Sequence, residues 1–122
     1  MNNQSSAHTI HTAFPTPVYI VKRDLELSPK DDKDIEDIIK GGLRSNSGNS
    51  TSSNSYIFDD KLKKIKQFCE QQIAIYVKEV INPKEDLDFY ITQSWLNITK
   101  PGETHHSHFH RNSIISGVFY IS

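Results

Sequence analysis

Four of the six histidines of this chain lie within the short stretch His105–His110, which reads HHSHFH. Neutral imidazole nitrogens bind iron, zinc, nickel and copper in proteins, so a cluster of this kind predicts a metal site. The alternative is a surface patch of histidines whose metal affinity is incidental. If the stretch is extended, side chains alternate between two faces, which places His106, His108 and His110 on one face and His105 on the other.

The spacing along an extended segment restricts which of these histidines can share one metal ion. Residues two apart on a strand are about 6.6 Å apart, and two imidazoles can tilt across that gap to a metal about 2.1 Å from each nitrogen. His106 and His110 would start about 13 Å apart, which is too far without a bend. The candidate pairs are therefore His106/His108 and His108/His110, and the spacing leaves both open. A catalytic non-haem iron site typically adds one carboxylate to two histidines.

The residues around the histidine stretch form a longer pattern. It consists of a strand with a tryptophan, a glycine turn, a His-x-His motif, an Asn-Ser pair, and a Ser-Gly strand that ends in an aromatic pair. In this sequence these are, in the same order, Ser94–Asn97, Gly102, His108–His110, Asn112-Ser113 and Ser116–Tyr120. This pattern resembles that of the 2-oxoglutarate- and Fe(II)-dependent oxygenases, in particular a prolyl-hydroxylase-like group common in phage genomes. Leu43–Asn46 is similar to a Ser-Asn loop of the same family.

The resemblance implies a fold, two cofactors and a set of metal ligands. The fold would be a double-stranded β-helix (a jelly roll, cupin-like), with iron inside one end of the sandwich. The cofactors would be Fe(II) and 2-oxoglutarate, and the activity a dioxygenase reaction such as hydroxylation. By position in the motif, His108 and His110 occupy the first two ligand positions and His105 and His106 flank them. No residue is assigned a catalytic role.

Three departures from the family pattern bear on this expectation. His110 stands where the superfamily usually has an aspartate, and Arg111 stands where many relatives have proline. The distal histidine and the basic residue that binds the far carboxylate of 2-oxoglutarate are expected well downstream of Ser122. We therefore expect the sequence to be the N-terminal part of the oxygenase domain, truncated before those residues. The alternative is a non-enzymatic metal-binding or interaction protein, a degenerate or split jelly-roll fragment.

Two polar residues are predicted to bind the cosubstrate. Asn97 lies in the middle of an apolar strand, where an amide is costly to bury without hydrogen bonds. Tyr120 shares one face of the last predicted strand with Ser116, which gives a polar stripe within an apolar segment. We expect Asn97 and Tyr120 to line the same cavity as His108 and His110. For Asn97 the alternative is a strand-edge residue that hydrogen-bonds to nearby backbone.

Two helices are predicted ahead of the histidine stretch. The first has Ser28 as its N-cap and Pro29 at its first position, and it ends at Gly41-Gly42. The second is predicted from Asp59, as its cap, through Val80. Its apolar residues recur at three- and four-residue steps, which indicates one buried face: Leu62, Ile65, Phe68, Cys69, Ile73, Tyr76, Val77 and Val80.

Strands are predicted at Phe14–Val21, Leu87–Ile98 and Ile114–Ile121 from their β-branched and aromatic content. The Ser/Asn/Gly-rich residues 43–55 are typical of a flexible linker, or alternatively of a loop that orders over a ligand. Late strands behind early helices favour an α+β class, here the N-terminal portion of a jelly roll with two flanking helices. The expected organisation is a flexible N-terminus, residues 1–12, followed by an incomplete oxygenase-like domain, residues 13–122.

The composition restricts the classes of binding partner that we expect. The net charge of −1 gives no basic excess for nucleic acid or an anionic membrane. Cys69 is the single cysteine, so an internal disulfide is excluded, and the polar N-terminus does not resemble a signal peptide. We expect a soluble cytoplasmic protein with a small-molecule or peptide substrate. Because Ile114–Ile121 would be a bare edge strand, a homodimer or a C-terminal fragment could complete the sheet.

Overall fold

The structure is a computed structural model that describes residues 9–121. It contains two helices and one small antiparallel sheet, in which β2 lies between β1 and β3. The α+β class and the two helices are therefore confirmed. The elements in chain order are α1 (Pro29–Lys40), β1 (Leu43–Ser45), β2 (Ser50–Ser52), α2 (Lys63–Tyr76) and β3 (Asn97–Ile98).

Helix α1 begins and ends where the sequence predicts. The Ser28 side chain accepts a hydrogen bond from the backbone N–H of Asp31, and the Asp31 carboxylate accepts one from the Ser28 backbone N–H at 2.7 Å. This reciprocal pair is a capping box, and its hydrogen bonds to Ser28 lower the pKa of Asp31. The helix ends at Gly41, and Gly42 follows with φ of +115°. All the groups that define this helix are local, which is why the sequence predicts its bounds.

Helix α2 begins later than predicted, and the residue that binds its N-terminal end is not the predicted one. Asp59 lies in a short 3₁₀ turn instead of capping the helix, and Leu62 precedes the helix with a left-handed φ of 54°. The Asp34 carboxylate, on α1, accepts the Leu62 N–H at 2.8 Å and also binds the Lys30 ammonium at 2.9 Å. The prediction of Asp59 as the cap is wrong because the group that binds this helix end comes from another element.

The core lies between the helices and the sheet. Its buried apolar side chains are Ile38, Ile57, Leu62 and Ile65, and Leu96 and Phe119 pack against them. The predicted apolar face of α2 is buried or half-buried except for Val80, which is 41% exposed. Val80 lies beyond Tyr76, where the helix widens into a π-helical turn, Val77–Ile81.

Residues 43–55 do not form the predicted linker but an ordered β-hairpin. β1 and β2 pair in antiparallel register, and β2 pairs with β3 on its other side. The turn places Ser47 and Gly48 at φ of 46° and 121°, and a turn with two consecutive positive φ values matches the twist of a hairpin. The prediction was wrong because serine and asparagine favour turns, and here the turn is the centre of a hairpin.

The long strands predicted elsewhere do not form among residues 9–121. Phe14–Val21 and Ile114–Ile121 have no strand, and Leu87–Ile98 keeps only β3 and an isolated bridge between Ser94 and Tyr56. A strand needs a neighbour for its hydrogen bonds, and these segments have none in the described part of the chain. These segments therefore consist of residues with high β propensity but lack the strand pairing that would make them strands.

The prediction of a flexible N-terminus lies largely outside the described residues; within it, residues 9–12 are exposed and form neither helix nor strand. The jelly-roll domain over residues 13–122 stays a prediction. Over the described range, no helix has both the length and the apolar character to cross a membrane.

We expect Asp34→Asn to lower the free energy of unfolding by about 1–2 kcal/mol at pH 7, because it removes the charge from a buried hydrogen-bonded carboxylate. The hydrogen bond from the Leu62 N–H, and then Lys30, lower the pKa of Asp34. Its stabilisation is therefore fully present above the unfolded-state pKa and is lost as the pH falls through the lower folded-state value. Urea unfolding between pH 2 and 7 measures this loss.

The matched control is Asp32→Asn, which removes an exposed carboxylate from the same helix. It should leave the acid limb of the stability curve unchanged. Identical pH profiles for the two variants would show that Asp34 does not hold the start of α2.

Candidate metal centre

The sheet has two different faces. Side chains alternate along each strand, so Ser52 and Leu96 point toward the helices, and Ser52 is completely buried. The Ser52 hydroxyl accepts the Leu96 N–H at 3.0 Å and donates to the Asn54 carbonyl at 2.8 Å. The opposite face carries a cross-strand row, because Arg44 pairs with Thr51 and Thr51 pairs with Asn97. This second face is polar and forms the wall of a pocket.

The turn of the hairpin holds the start of the histidine stretch. The Thr104 N–H donates to the Gly48 carbonyl at 3.2 Å. A Cβ on Gly48 would lie 2.5 Å from the Thr104 carbonyl oxygen, so only glycine permits this approach. The two segments are more than fifty residues apart in sequence, and this contact fixes where the histidines begin.

Asn49 extends this attachment to a histidine side chain. Its amide nitrogen donates to the Thr99 hydroxyl at 2.9 Å and lies 3.0 Å from Nδ1 of His105, while its amide oxygen accepts from Asn46 at 2.9 Å. The Asn49 side chain is buried. Because an amide nitrogen only donates, Nδ1 of His105 accepts and the ring proton lies on Nε2. Desolvation, followed by the neighbouring histidines, lowers the pKa of His105.

His108 and His110 are the pair whose ring nitrogens converge. Nδ1 of His108 lies 2.9 Å from the His106 carbonyl oxygen, which can only accept, so Nδ1 carries the proton. With the proton on Nδ1, the lone pair of Nε2 points toward Nε2 of His110, 3.1 Å away. Two nitrogens bound at a right angle to one metal at about 2.1 Å are about 3 Å apart, so this separation suits a shared cation.

The other two histidines lie beside this pair, and His105 is not on the face predicted for it. His105 was expected on the face opposite His108, but their ring centroids are 4.9 Å apart. The alternation fails because residues 103–110 are not a strand. His106 contributes its backbone carbonyl to His108, while its own Nδ1 is buried with no hydrogen-bond partner among the described residues. A carbonyl that orients a ligand histidine is a common arrangement around metals.

The four histidines border a pocket of ≈ 260 Å³. Trp95 forms part of its wall, with its ring centroid 5.1 Å from that of His110. The remaining lining residues come from the hairpin and the segment beside it: Arg44, Asn46, Thr51, Ser55 and Gln93. The lining contains no carboxylate, and residues 9–121 contain no group of three or more His, Cys, Asp or Glu side chains arranged to hold a metal. His108 and His110 thus fit a metal as two ligands of an incomplete set.

Asn97 and Tyr120 do not line the pocket. Asn97 is exposed, although it shares the polar sheet face with Thr51, and Tyr120 is 79% exposed. The expectation that both share a cavity with the metal pair differs from the structure, because residues 114–121 pair with no strand of the described range that would bring Tyr120 to the sheet. Their assignment to the cosubstrate stays a prediction.

Sequence reasoning missed Asn49 and the position of Arg44. The resemblance of Leu43–Asn46 to a family loop was a signal for this region, but it did not identify the contact with the histidines. Asn49 lies in a serine- and asparagine-rich stretch where each residue alone is typical of a loop. Only its burial and its hydrogen bonds distinguish it.

We expect His108→Ala to abolish binding of Co(II), used as an air-stable probe, because it removes one of the two converging nitrogens. His110→Ala should have the same effect. His105→Ala should retain most of the affinity, since Nδ1 of His105 is bound to Asn49. Isothermal titration calorimetry measures all three, and equal losses in His105→Ala and His108→Ala would indicate a diffuse histidine patch.

We expect Asn49→Ala to weaken Co(II) binding by about 10-fold, within the range for residues that support ligands from outside the coordination shell. Loss of the buried amide leaves His105 and Thr99 without their partner and loosens the histidine stretch. Asn54→Ala is the matched control, because Asn54 lies on the same stretch but contacts no histidine. Unchanged Co(II) affinity in a folded Asn49→Ala protein would contradict the role of Asn49.

The family model described as "Putative 2OG-Fe(II) oxygenase" matches residues 93–122, about a quarter of the chain. The matched stretch contains Trp95, Asn97 and all four clustered histidines. No curated protein and no solved structure matches the chain. At the level of the family model, the comparison supports an oxygenase that uses Fe(II) and 2-oxoglutarate, over this short region.

Proposed function

We propose that the chain forms the metal-binding part of an Fe(II)- and 2-oxoglutarate-dependent oxygenase. The observation that carries the proposal is the convergence of Nε2 of His108 and Nε2 of His110 at 3.1 Å, within the stretch that matches the oxygenase model. In this proposal residues 13–122 belong to a double-stranded β-helix, and the polar face of β1–β2–β3 is part of its interior.

The chain's own residues would prepare the site. His108 and His110 would hold the metal, with the His106 carbonyl fixing the ring of His108 in the tautomer that presents Nε2. The Trp95 ring, beside His110, would exclude water from one side of the pair. When bound, Fe(II) would support hydroxylation of a small molecule or peptide, with dioxygen as the oxidant and 2-oxoglutarate as the co-reductant.

Asn97 and Tyr120 remain the proposed cosubstrate contacts. Asn97 lies on the same sheet face as Thr51, which lines the pocket, so its amide is on the side where a cosubstrate would bind. For Tyr120, the proposal requires that residues 114–121 join a sheet, which would give them the alternation of a strand.

The remaining metal ligands would come from another polypeptide segment, either a second copy of this chain or a C-terminal fragment. Two features of residues 114–121 support this. Ile114 and Val118 are 80% and 77% exposed, which is costly for large apolar side chains. The backbone of the segment also pairs with no strand among the described residues, so it can accept one.

We expect the affinity for 2-oxoglutarate to rise markedly when a metal is present and His108 and His110 are intact. Calorimetric titration of 2-oxoglutarate into Co(II)-loaded protein should give saturable binding, while metal-free protein and the His108→Ala variant should show much weaker binding. Glutarate, which lacks the keto group, should gain little from the metal, because it cannot chelate through adjacent oxygens.

A second candidate function is a non-enzymatic metal-binding or interaction protein. It is favoured by the absence of any carboxylate among the residues lining the pocket. A protein of this kind would bind Co(II) or Zn(II) through His108 and His110 without any metal-dependent affinity for 2-oxoglutarate. That result would therefore replace the oxygenase proposal with this second one.

A further inference from the structure

Arg44 is the one permanently charged side chain among the residues that line the pocket. It lies on β1 directly opposite Thr51 of β2, so both side chains project from the polar sheet face. Both also line the pocket that contains the four histidines. The hairpin thus brings a guanidinium to a site whose other charged or ionisable groups are all imidazoles.

Among residues 9–121, the Arg44 guanidinium has no protein partner. No described residue forms an ion pair or a side-chain hydrogen bond with it, and no aromatic ring lies beneath it. The pocket lining contains no acid that could neutralise it. Ser55 and Gln93, which also line the pocket, likewise form no side-chain hydrogen bond with a described residue. The pocket therefore presents a positive charge beside two polar side chains that are free to bind a ligand.

The amount of charge and the size of the pocket restrict the ligand. One guanidinium balances one negative charge, which suits a carboxylate better than a phosphate group carrying about −1.5 to −2 at neutral pH. The planar fork of arginine also matches the two oxygens of a carboxylate. At ≈ 260 Å³, the pocket is smaller than the roughly 300–1,000 Å³ of sites for drug-sized ligands, so the ligand is small.

We propose that Arg44 binds the carboxylate of a small organic acid in this pocket. The inference deepens the proposed function, since it assigns a ligand chemistry to the same pocket, but it does not require the metal. The carboxylate could belong to the cosubstrate or to the substrate that is oxidised. Both sources share the interaction with Arg44, and competition between ligands distinguishes them.

The test uses the fluorescence of Trp95, the single tryptophan of the chain and a wall of the pocket. Metal-free protein in EDTA, at constant ionic strength, is titrated with glutarate, 2-oxoglutarate and inorganic phosphate. We expect saturable changes with both dicarboxylates and a weaker response to phosphate. Arg44→Gln should weaken dicarboxylate binding by about 10-fold or more, because a charge-assisted bidentate hydrogen bond is lost.

Two further variants test whether the loss of affinity in Arg44→Gln is specific to the Arg44 guanidinium. Arg44→Lys keeps the charge but not the fork, so it should bind more weakly than the parent protein and more tightly than Arg44→Gln. Lys100→Gln removes an exposed charge from outside the pocket and should leave the affinity unchanged. Circular dichroism establishes that each variant is folded. Should Arg44→Gln fold poorly, the ranking of parent protein above Arg44→Lys carries the test.

Equal affinity in the parent protein and Arg44→Gln would overturn the proposal, as would equal losses in Arg44→Gln and Lys100→Gln. Tighter binding of phosphate than of glutarate would overturn the choice of carboxylate. These outcomes are separate from the metal-dependent binding of 2-oxoglutarate, so this proposal and the proposed function can fail independently.

A last titration identifies the source of the carboxylate. Glutarate is added to Co(II)-loaded protein that is saturated with 2-oxoglutarate. If glutarate no longer binds, Arg44 holds the cosubstrate. If glutarate still binds through Arg44, the guanidinium holds the carboxylate of a substrate.

Discussion

The attachment of the hairpin turn to the histidine stretch determines the geometry of the candidate site. Within the part of the chain that the structure describes, the stretch has no strand partner, so it depends on the contacts at its first residues. Gly48 approaches the backbone of Thr104, and the buried amide of Asn49 binds His105 and Thr99. The Asn49 amide is buried, so leaving it without these hydrogen-bond partners would be costly. This cost keeps the two distant segments together.

The short sheet separates the core from the pocket. Its inner face packs Leu96 against the core and buries Ser52, whose hydroxyl satisfies the backbone N–H of Leu96. Its outer face carries Arg44 and Thr51 toward the histidines. With strands of two or three residues, a sheet of this size contributes little stability alone. Helices α1 and α2 support it, and the Asp34 carboxylate joins the two helices by binding the Leu62 N–H.

The pocket contains two converging imidazole rings but no carboxylate. Two imidazole nitrogens converge, and one of the two rings is oriented by a backbone carbonyl, as in metal sites. The carboxylate that would lower the net charge of a bound Fe(II) is absent from the lining, and a guanidinium is present instead. This charge distribution favours an anionic ligand in the pocket. In the proposed oxygenase, a carboxylate-bearing ligand would balance the charge of both the metal and Arg44.

The sequence alone determined the features whose interactions are local. Ser28 and Asp31 lie three residues apart, so the start of α1 follows from the sequence, and the spacing of Ile65 and Phe68 predicts the buried face of α2. The motif around His108-Phe109-His110 names the two histidines whose Nε2 atoms lie 3.1 Å apart, and their role as metal ligands stays a prediction. The tertiary structure decided what depends on distant residues: Asp34 in place of Asp59 at the start of α2, a hairpin in place of a linker, and His105 in the pocket. It also left Asn97 and Tyr120 exposed, because strand propensity places a side chain on a face only where another strand supplies the hydrogen bonds.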